Sequence, residues 1–213
     1  MDYSESKLPP TYDVAENELP YQIKLALWQT AFGLQKVDGH SPSEYMVELA
    51  YENIEGKKGY DAIYREISDY HREEHVDANT VEADIVSLRI AELLAEDHFL
   101  LSPSTLLGIH RHLFTDVFSE EIPVGKFRKV NITKKEPVLD GETVQYSSHF
   151  MIQDTLVYDF EREQNFSYAG LTNEQKALHA MTFLADIWQV HPFREGNTRT
   201  VAVFGIQYLR KLG

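Results

Sequence analysis

HPFREGNTR, residues His191 to Arg199, packs a histidine, an acid, a Gly-Asn pair and an arginine into nine positions. Upstream, Thr172-Asn173-Glu174-Gln175 has the form of a helix capping box, and Ala177, Met181, Leu184, Ile187 and Trp188 then recur on one helical face. That helix runs into the motif. Beyond it, Val201, Phe204, Gly205, Tyr208 and Leu212 repeat at the same period. The nine residues therefore join two helices, with the Gly-Asn pair and Arg199 at the start of the second.

Most of the remaining chain reads the same way, so the fold class is mainly α. A helical face starts at Tyr21 and stops at Gly39; Ser41-Pro42-Ser43-Glu44 signals the next start, with proline at the first helical position, and Gly56 ends it. Asp61 to His75 makes a third helix. These three look like a small module of their own, residues 20–78, after a polar arm at 1–19. A nearly all-round apolar, hence central, helix starts near Asn79, and Ser102-Pro103 opens another. Between them and the capping box, Lys129–Leu139 and Glu142–Ser147 read as a β-hairpin turning at Asp140-Gly141, followed by a helix from Met151 to Arg162.

Composition narrows the function classes. The 213 residues contain no cysteine, which rules out a disulfide framework and fits a reducing, cytoplasmic setting. No apolar run approaches the ~20 residues that span a bilayer, and MDYSESKLPP lacks the basic and apolar regions of a signal peptide. A net charge of -14 argues against nucleic acid or an anionic membrane as partner.

The loop's residue types converge on phosphate chemistry. A helix N-terminus offers unpaired N–H groups and the positive end of the helix dipole. Gly196 leaves room for a phosphate, Asn197 is placed to cap the helix and donate through its amide, and Arg199 matches a pair of phosphate oxygens. Glu195 beside such a site suggests Mg²⁺ bridging it to phosphate. His191, ending the preceding helix, is placed to take a proton from an attacking hydroxyl. Phe193 is expected to anchor the loop inward. The competing reading, a His-Pro-Phe packing turn with ordinary cap residues, explains each residue singly but not all of them together.

HPFREGNTR resembles the signature loop of the Fic family, His-x-Phe-x-Asp/Glu-Gly-Asn-Gly-Arg-x-x-Arg, at positions 191, 193, 195, 196, 197 and 199. Val124-Gly125-Lys126-Phe127-Arg128 is similar to that family's Pro-Gly-x-Tyr/Phe-Arg segment, and the resemblance covers roughly residues 80–213. It implies a helical Fic domain at 79–213 and transfer of AMP from ATP·Mg²⁺ to a Ser, Thr or Tyr hydroxyl of a target protein. It assigns His191 as base, Glu195 as Mg²⁺ ligand, and Gly196, Asn197, Thr198 and Arg199 as the nucleotide-binding loop. It further implies that the 129–147 hairpin docks the target as an added strand; a stabilising edge ribbon is the alternative. Homo-oligomerisation is left open.

Two positions depart from the pattern. Thr198 stands for a glycine, and Ala202 stands for the second arginine, which in the family holds the γ-phosphate. Its loss weakens the orientation of a triphosphate. A different nucleotide donor, or a nucleotide-binding module without transfer, are the alternatives this raises.

Residues 29–67 resemble the small helical antitoxins of Fic toxins, whose Ser/Thr-x-x-x-Glu-Gly/Asn glutamate pairs with that second arginine. The aligned stretch ends in Asp38-Gly39, and a second match ends in Glu55-Gly56; neither carries the hydroxyl residue. Asp38, Gly39 and Glu55 are thus regulatory candidates in a module whose original clamp is lost or altered, or else simple helix stops. From another class, His71-Arg72-Glu73-Glu74-His75 fits the H-x-x-E-H metalloprotease pattern, but no third ligand is indicated and the helix is charged. His110 and His112 read as packing or dipole partners.

Overall fold

The computed structural model describes residues 19–135 and 143–213; all but the last residue of the arm read at 1–19, and the Asp140-Gly141 turn, lie outside the described residues. Eight α-helices, a 3-10 turn at His149–Met151 and one two-stranded ribbon are the elements of the described residues. Helix α1 (Tyr21–Val37) ends where His40 N–H bonds to the Gln35 carbonyl and Gly39 N–H to the Lys36 carbonyl, with Gly39 at φ +78°. Helix α2 (Glu44–Ile54) ends in the same way at Glu55-Gly56, and α3 (Tyr60–Glu73) buries Ile63 and Ile67.

Helix α4 (Ala78–Ala95) is the central element. It is buried on nearly all sides, through Ala83, Ile85, Val86, Leu88, Ile90, Ala91 and Leu94. Helix α1 lies along it, and α3, α5 (Pro103–Phe114) and α8 (Asn197–Leu212) pack around it. Apolar side chains from α1 through α8 form one continuous core, so the three N-terminal helices share their interior with the rest of the chain. Helices α6 (Ile152–Gln164) and α7 (Asn173–Val190) complete the bundle.

Several local readings match: Ser102 caps α5 with Pro103 following, and Thr172 and Gln175 form both bonds of a capping box on α7. Two need correction. The cap of α2 is Ser43, whose Oγ accepts from Met46 N–H, not Ser41, so Pro42 precedes the helix. The reason is tertiary: buried Asp84 of α4 accepts from Ser43 N–H at 2.7 Å and Ser43 Oγ at 2.8 Å and also meets His71 Nε2 at 2.8 Å, tying α2 and α3 to α4. Burial pushes the Asp84 carboxyl upward, and the bonds from His71 and Ser43 oppose this.

Among the described residues, the ribbon is also shorter at its base than its sequence pattern, for residues 129–132, 146 and 147 lie outside the strands. Strands β1 (Thr133–Lys135) and β2 (Thr143–Gln145) pair antiparallel, with Lys134 opposite Val144. Below them the backbone is held differently. The Val130 and Ser147 carbonyls both accept from the Arg128 guanidinium instead of from a facing strand.

Candidate active site

The loop between α7 and α8 is closed by its own side chains. Phe193 is fully buried and stacks on His110 of α5, with centroids 3.9 Å apart and planes at 18°. The Asn197 side-chain oxygen accepts from Phe193 N–H at 2.8 Å and its amide donates to the Phe193 carbonyl at 2.9 Å. The expectation that Asn197 caps α8 is therefore corrected: Gly196 is the N-cap, and no side chain caps this helix. Gly196 adopts φ +72°, and a Cβ there would come within 2.5 Å of Phe114, so the fold itself requires glycine.

His110 is buried and its protonation is fixed by its partners. Nδ1 accepts from Gly125 N–H at 2.9 Å, which leaves Nε2–H to donate to the Glu195 carbonyl at 3.1 Å. Burial, with a smaller contribution from the Arg199 charge, pushes its pKa down to about 4. The Val124–Arg128 segment is thereby bonded to the signature loop. Arg128, 2% exposed, completes the link: it donates to the carbonyls of His191 (2.8 Å), Val190 (3.3 Å), Val130 (2.7 Å) and Ser147 (2.5 Å).

His191 itself sits in the left-handed region, at φ 51° and ψ 62°. Strain of this kind persists where surrounding structure imposes it. Nδ1–H donates to the Trp188 carbonyl at 3.1 Å, which puts the imidazole lone pair on Nε2. Tyr146 lies flat against the ring at 3.8 Å and 12°, and Trp188 stands edge-on at 5.4 Å. The histidine lines a cleft of about 520 Å³ together with Glu195, Gly196, Asn197 and Thr198, so the base candidate and the uncapped start of α8 face one space. Lys134 of β1 and Arg194 also line it.

Arg199 is 2% exposed and already engaged. Its Nη2 donates to Glu82 Oε1 at 2.7 Å, Nη1 donates to Gln35 Oε1 at 3.1 Å, and Nε lies 2.8 Å from Asp38 Oδ2. The guanidinium also covers the Phe114 ring at 4.8 Å. The Asp38 contact is ionic without a directed Nε–H bond, whereas the Glu82 contact is directed. Asp38 therefore reaches the loop's first arginine, although the family's inhibitory acid pairs with the second. Glu55, the other candidate, pairs with Lys57 on the surface. Arg199, Asp38 and Glu82 line a second chamber of about 480 Å³, which shares Asp38, Ile122, Lys134 and Glu195 with the first.

Thr198 is half-buried, and its Oγ1 lies 3.4 Å from Trp188 Nε1. Ala202 lines an apolar groove between α7 and α8, with Trp188 and Met181, rather than the cleft. His71 is committed to Asp84 and His75 lies past the end of α3 at φ 52°, so the two do not sit one turn apart on a helix. His112 meets Glu92 at 3.1 Å. Sequence reasoning missed Gln35, Glu82, Tyr146 and the carbonyl-binding role of Arg128, because each acts through contacts distant in sequence.

In this helical bundle a histidine at one helix end faces an anion-receptive helix start across one cleft. The chain belongs to the Fic/DOC family, whose family model matches residues 100–209. Comparison of the sequence with curated proteins returns no match. Among the described residues, no helix is long and apolar enough to cross a membrane.

Proposed function

We propose that the protein is a Fic-type adenylyltransferase, moving AMP from ATP to a hydroxyl of a target protein and restrained by its N-terminal residues 20–78. The observation that carries this reading is the shared cleft: His191, with its lone pair on Nε2, and the uncapped N–H groups of α8 line the same space. In the proposed reaction the target hydroxyl oxygen attacks the α-phosphorus while Nε2 takes its proton. The bond from the α-phosphorus to the β-phosphate oxygen breaks and pyrophosphate leaves. The first-turn N–H groups of α8 hold the negative charge that develops.

Glu195 fits a Mg²⁺ that arrives with nucleotide. It is exposed and lines the cleft, and Mg²⁺ commonly takes one carboxylate and completes its shell with water and substrate phosphates. Among the described residues no three His, Asp or Glu side chains gather to hold a metal without substrate. When bound, the ion supplies charge neutralisation of the phosphates.

Regulation rests on Arg199. Two carboxylates already neutralise it, and one of them, Asp38, caps the end of α1. The phosphate-binding role of Arg199 thus needs Asp38 to give way. Docking of the target on the 129–147 hairpin and action in the cytoplasm are part of the same proposal, supported by the ribbon beside the cleft and the absence of cysteine.

A second reading is favoured by Ala202. With that position in an apolar groove, the cleft lacks the second arginine's charge, which favours a donor other than a triphosphate. Binding of ATP, GTP, UTP, CDP-choline and ADP with Mg²⁺ to the wild type, His191→Ala and Arg199→Ala separates the readings. Preferential ATP binding weakened by Arg199→Ala supports adenylyl transfer; preference for ADP or CDP-choline supports the second reading; binding of none refutes both.

A further inference from the structure

We infer that Tyr146 is a positioning residue for His191, and that through it the hairpin sets the orientation of the imidazole. The inference rests on the reading of His191 as the base. Tyr146 directly follows β2, yet its ring lies 3.8 Å from the imidazole with the planes only 12° apart. Trp188 stands edge-on to both rings, at 5.4 Å and 85° from His191 and at 6.3 Å and 89° from Tyr146. The imidazole is thus held on one face by the hairpin, by the perpendicular Trp188 ring of α7, and at Nδ1 by the Trp188 carbonyl.

The backbone is tied at the same place. One buried guanidinium, that of Arg128, binds the Ser147 carbonyl next to Tyr146, the Val130 carbonyl on the other side of the ribbon, and the carbonyl of His191 itself. This fixes the root of the hairpin relative to the root of the histidine. The stacked rings then transmit that registration to the reacting nitrogen.

Two physical effects follow. A histidine on a surface-facing loop samples several rotamers, and a general base acts only from the one that aims Nε2 at the hydroxyl. The stack selects that rotamer. In addition, the ring becomes a cation when it takes the proton, and a cation over an aromatic face is favoured. Tyr146 therefore supports the charged form that the transfer creates. A ligand that engages β2 is felt at the base through one side chain.

A merely structural staple would make the same contacts, so the test reads orientation as well as rate. In the full chain, with Asp38→Ala as the parent, Tyr146→Phe, Tyr146→Leu and Tyr146→Gln are compared. Nitrogen-15 NMR of the His191 ring without nucleotide reports its tautomer. The parent and Tyr146→Phe are expected to show a single Nδ1–H form; the two non-aromatic variants show averaging of both tautomers. Transfer kinetics are expected to lose about tenfold or more in kcat in the non-aromatic variants. Nucleotide KM stays within about twofold, and Tyr146→Phe retains most of the rate. Two non-aromatic variants are used so that failure of one to fold leaves the other to decide. Unchanged tautomer and kcat in a folded non-aromatic variant would overturn the inference, as would a change in KM alone. If the parent transfers nothing to any hydroxyl, the reading of His191 as base fails, and the NMR arm still decides whether Tyr146 orients the ring.

Discussion

Removing the Asp38 carboxylate should free Arg199 partway, and the structure sets how far. Asp38 is 29% exposed on its side chain and makes an ion pair without a directed N–H bond, while Glu82 is 17% exposed and accepts a directed one. Breaking a fully buried pair costs about 3–5 kcal/mol, and an exposed pair contributes about 0–1 kcal/mol. Asp38→Ala falls between these limits, at about 1–2 kcal/mol, because Glu82 and Gln35 still partner the arginine. For a chain of this size that lowers Tm by about 2–8 °C. Asp38→Ala/Glu82→Ala leaves a guanidinium that is 2% exposed without either carboxylate, and the loss rises to about 3–5 kcal/mol.

Nucleotide should reverse the order. A charge-assisted bond from Arg199 to a phosphate contributes about 1.5–3 kcal/mol, and with Asp38 gone only one carboxylate, Glu82, still competes for the guanidinium, so Asp38→Ala should bind ATP·Mg²⁺ about tenfold more tightly than wild type. Thermal shift with and without ATP·Mg²⁺, checked by titration calorimetry, measures both quantities. Equal nucleotide affinity in wild type, the single variant and the double variant would refute the clamp, as would a single variant more stable than wild type without ligand.

Three further outcomes are expected. Gly196→Ala, forced to φ +72° with its Cβ within 2.5 Å of Phe114, should lose about 2–4 kcal/mol in a denaturant titration, and an unchanged midpoint would contradict the packing described. His110 stays neutral in the fold down to about pH 4, whereas the unfolded chain takes a proton near pH 6.5. The folded form therefore binds fewer protons in that window, and this site's contribution to stability falls by about 3 kcal/mol as pH drops from 6.5 to 4, then levels off. The difference in unfolding free energy between wild type and His110→Asn across that range isolates it; a flat difference would contradict the assignment. Arg128→Met removes the bonds to four carbonyls and should cost about 2–4 kcal/mol by chemical denaturation while loosening the hairpin's amide protection in hydrogen exchange.

The parts of this protein legible in its sequence are those fixed by neighbours along the chain. The helix stops at Gly39 and Gly56, the Ser102 cap and the Thr172–Gln175 box all act within a few residues, and they occur as read. The same locality explains what was not legible. Asp38-Gly39 and Glu55-Gly56 end their helices with the same bonds, but only the first faces Arg199. Gln35 meets Arg199 across 164 residues and Glu82 across 117, separations at which no periodicity carries information. Ser43 rather than Ser41 caps α2 because Asp84 arrives from another helix, and the β pattern overran its ladder because Arg128 claims the carbonyls at its base. In the signature loop, Asn197 holds the loop instead of the helix start, which leaves that start open toward the cleft.

Incorporation of α-phosphate label from ATP·Mg²⁺ into protein hydroxyls, compared among wild type, Asp38→Ala and Asp38→Ala/His191→Ala, tests the account's centre most directly. Low labelling in wild type, an increase in Asp38→Ala and its abolition by His191→Ala is the expected pattern. Labelling that persists without His191 would contradict the role assigned to the histidine, and absence of label from Asp38→Ala with every nucleotide tested would contradict the transferase reading itself.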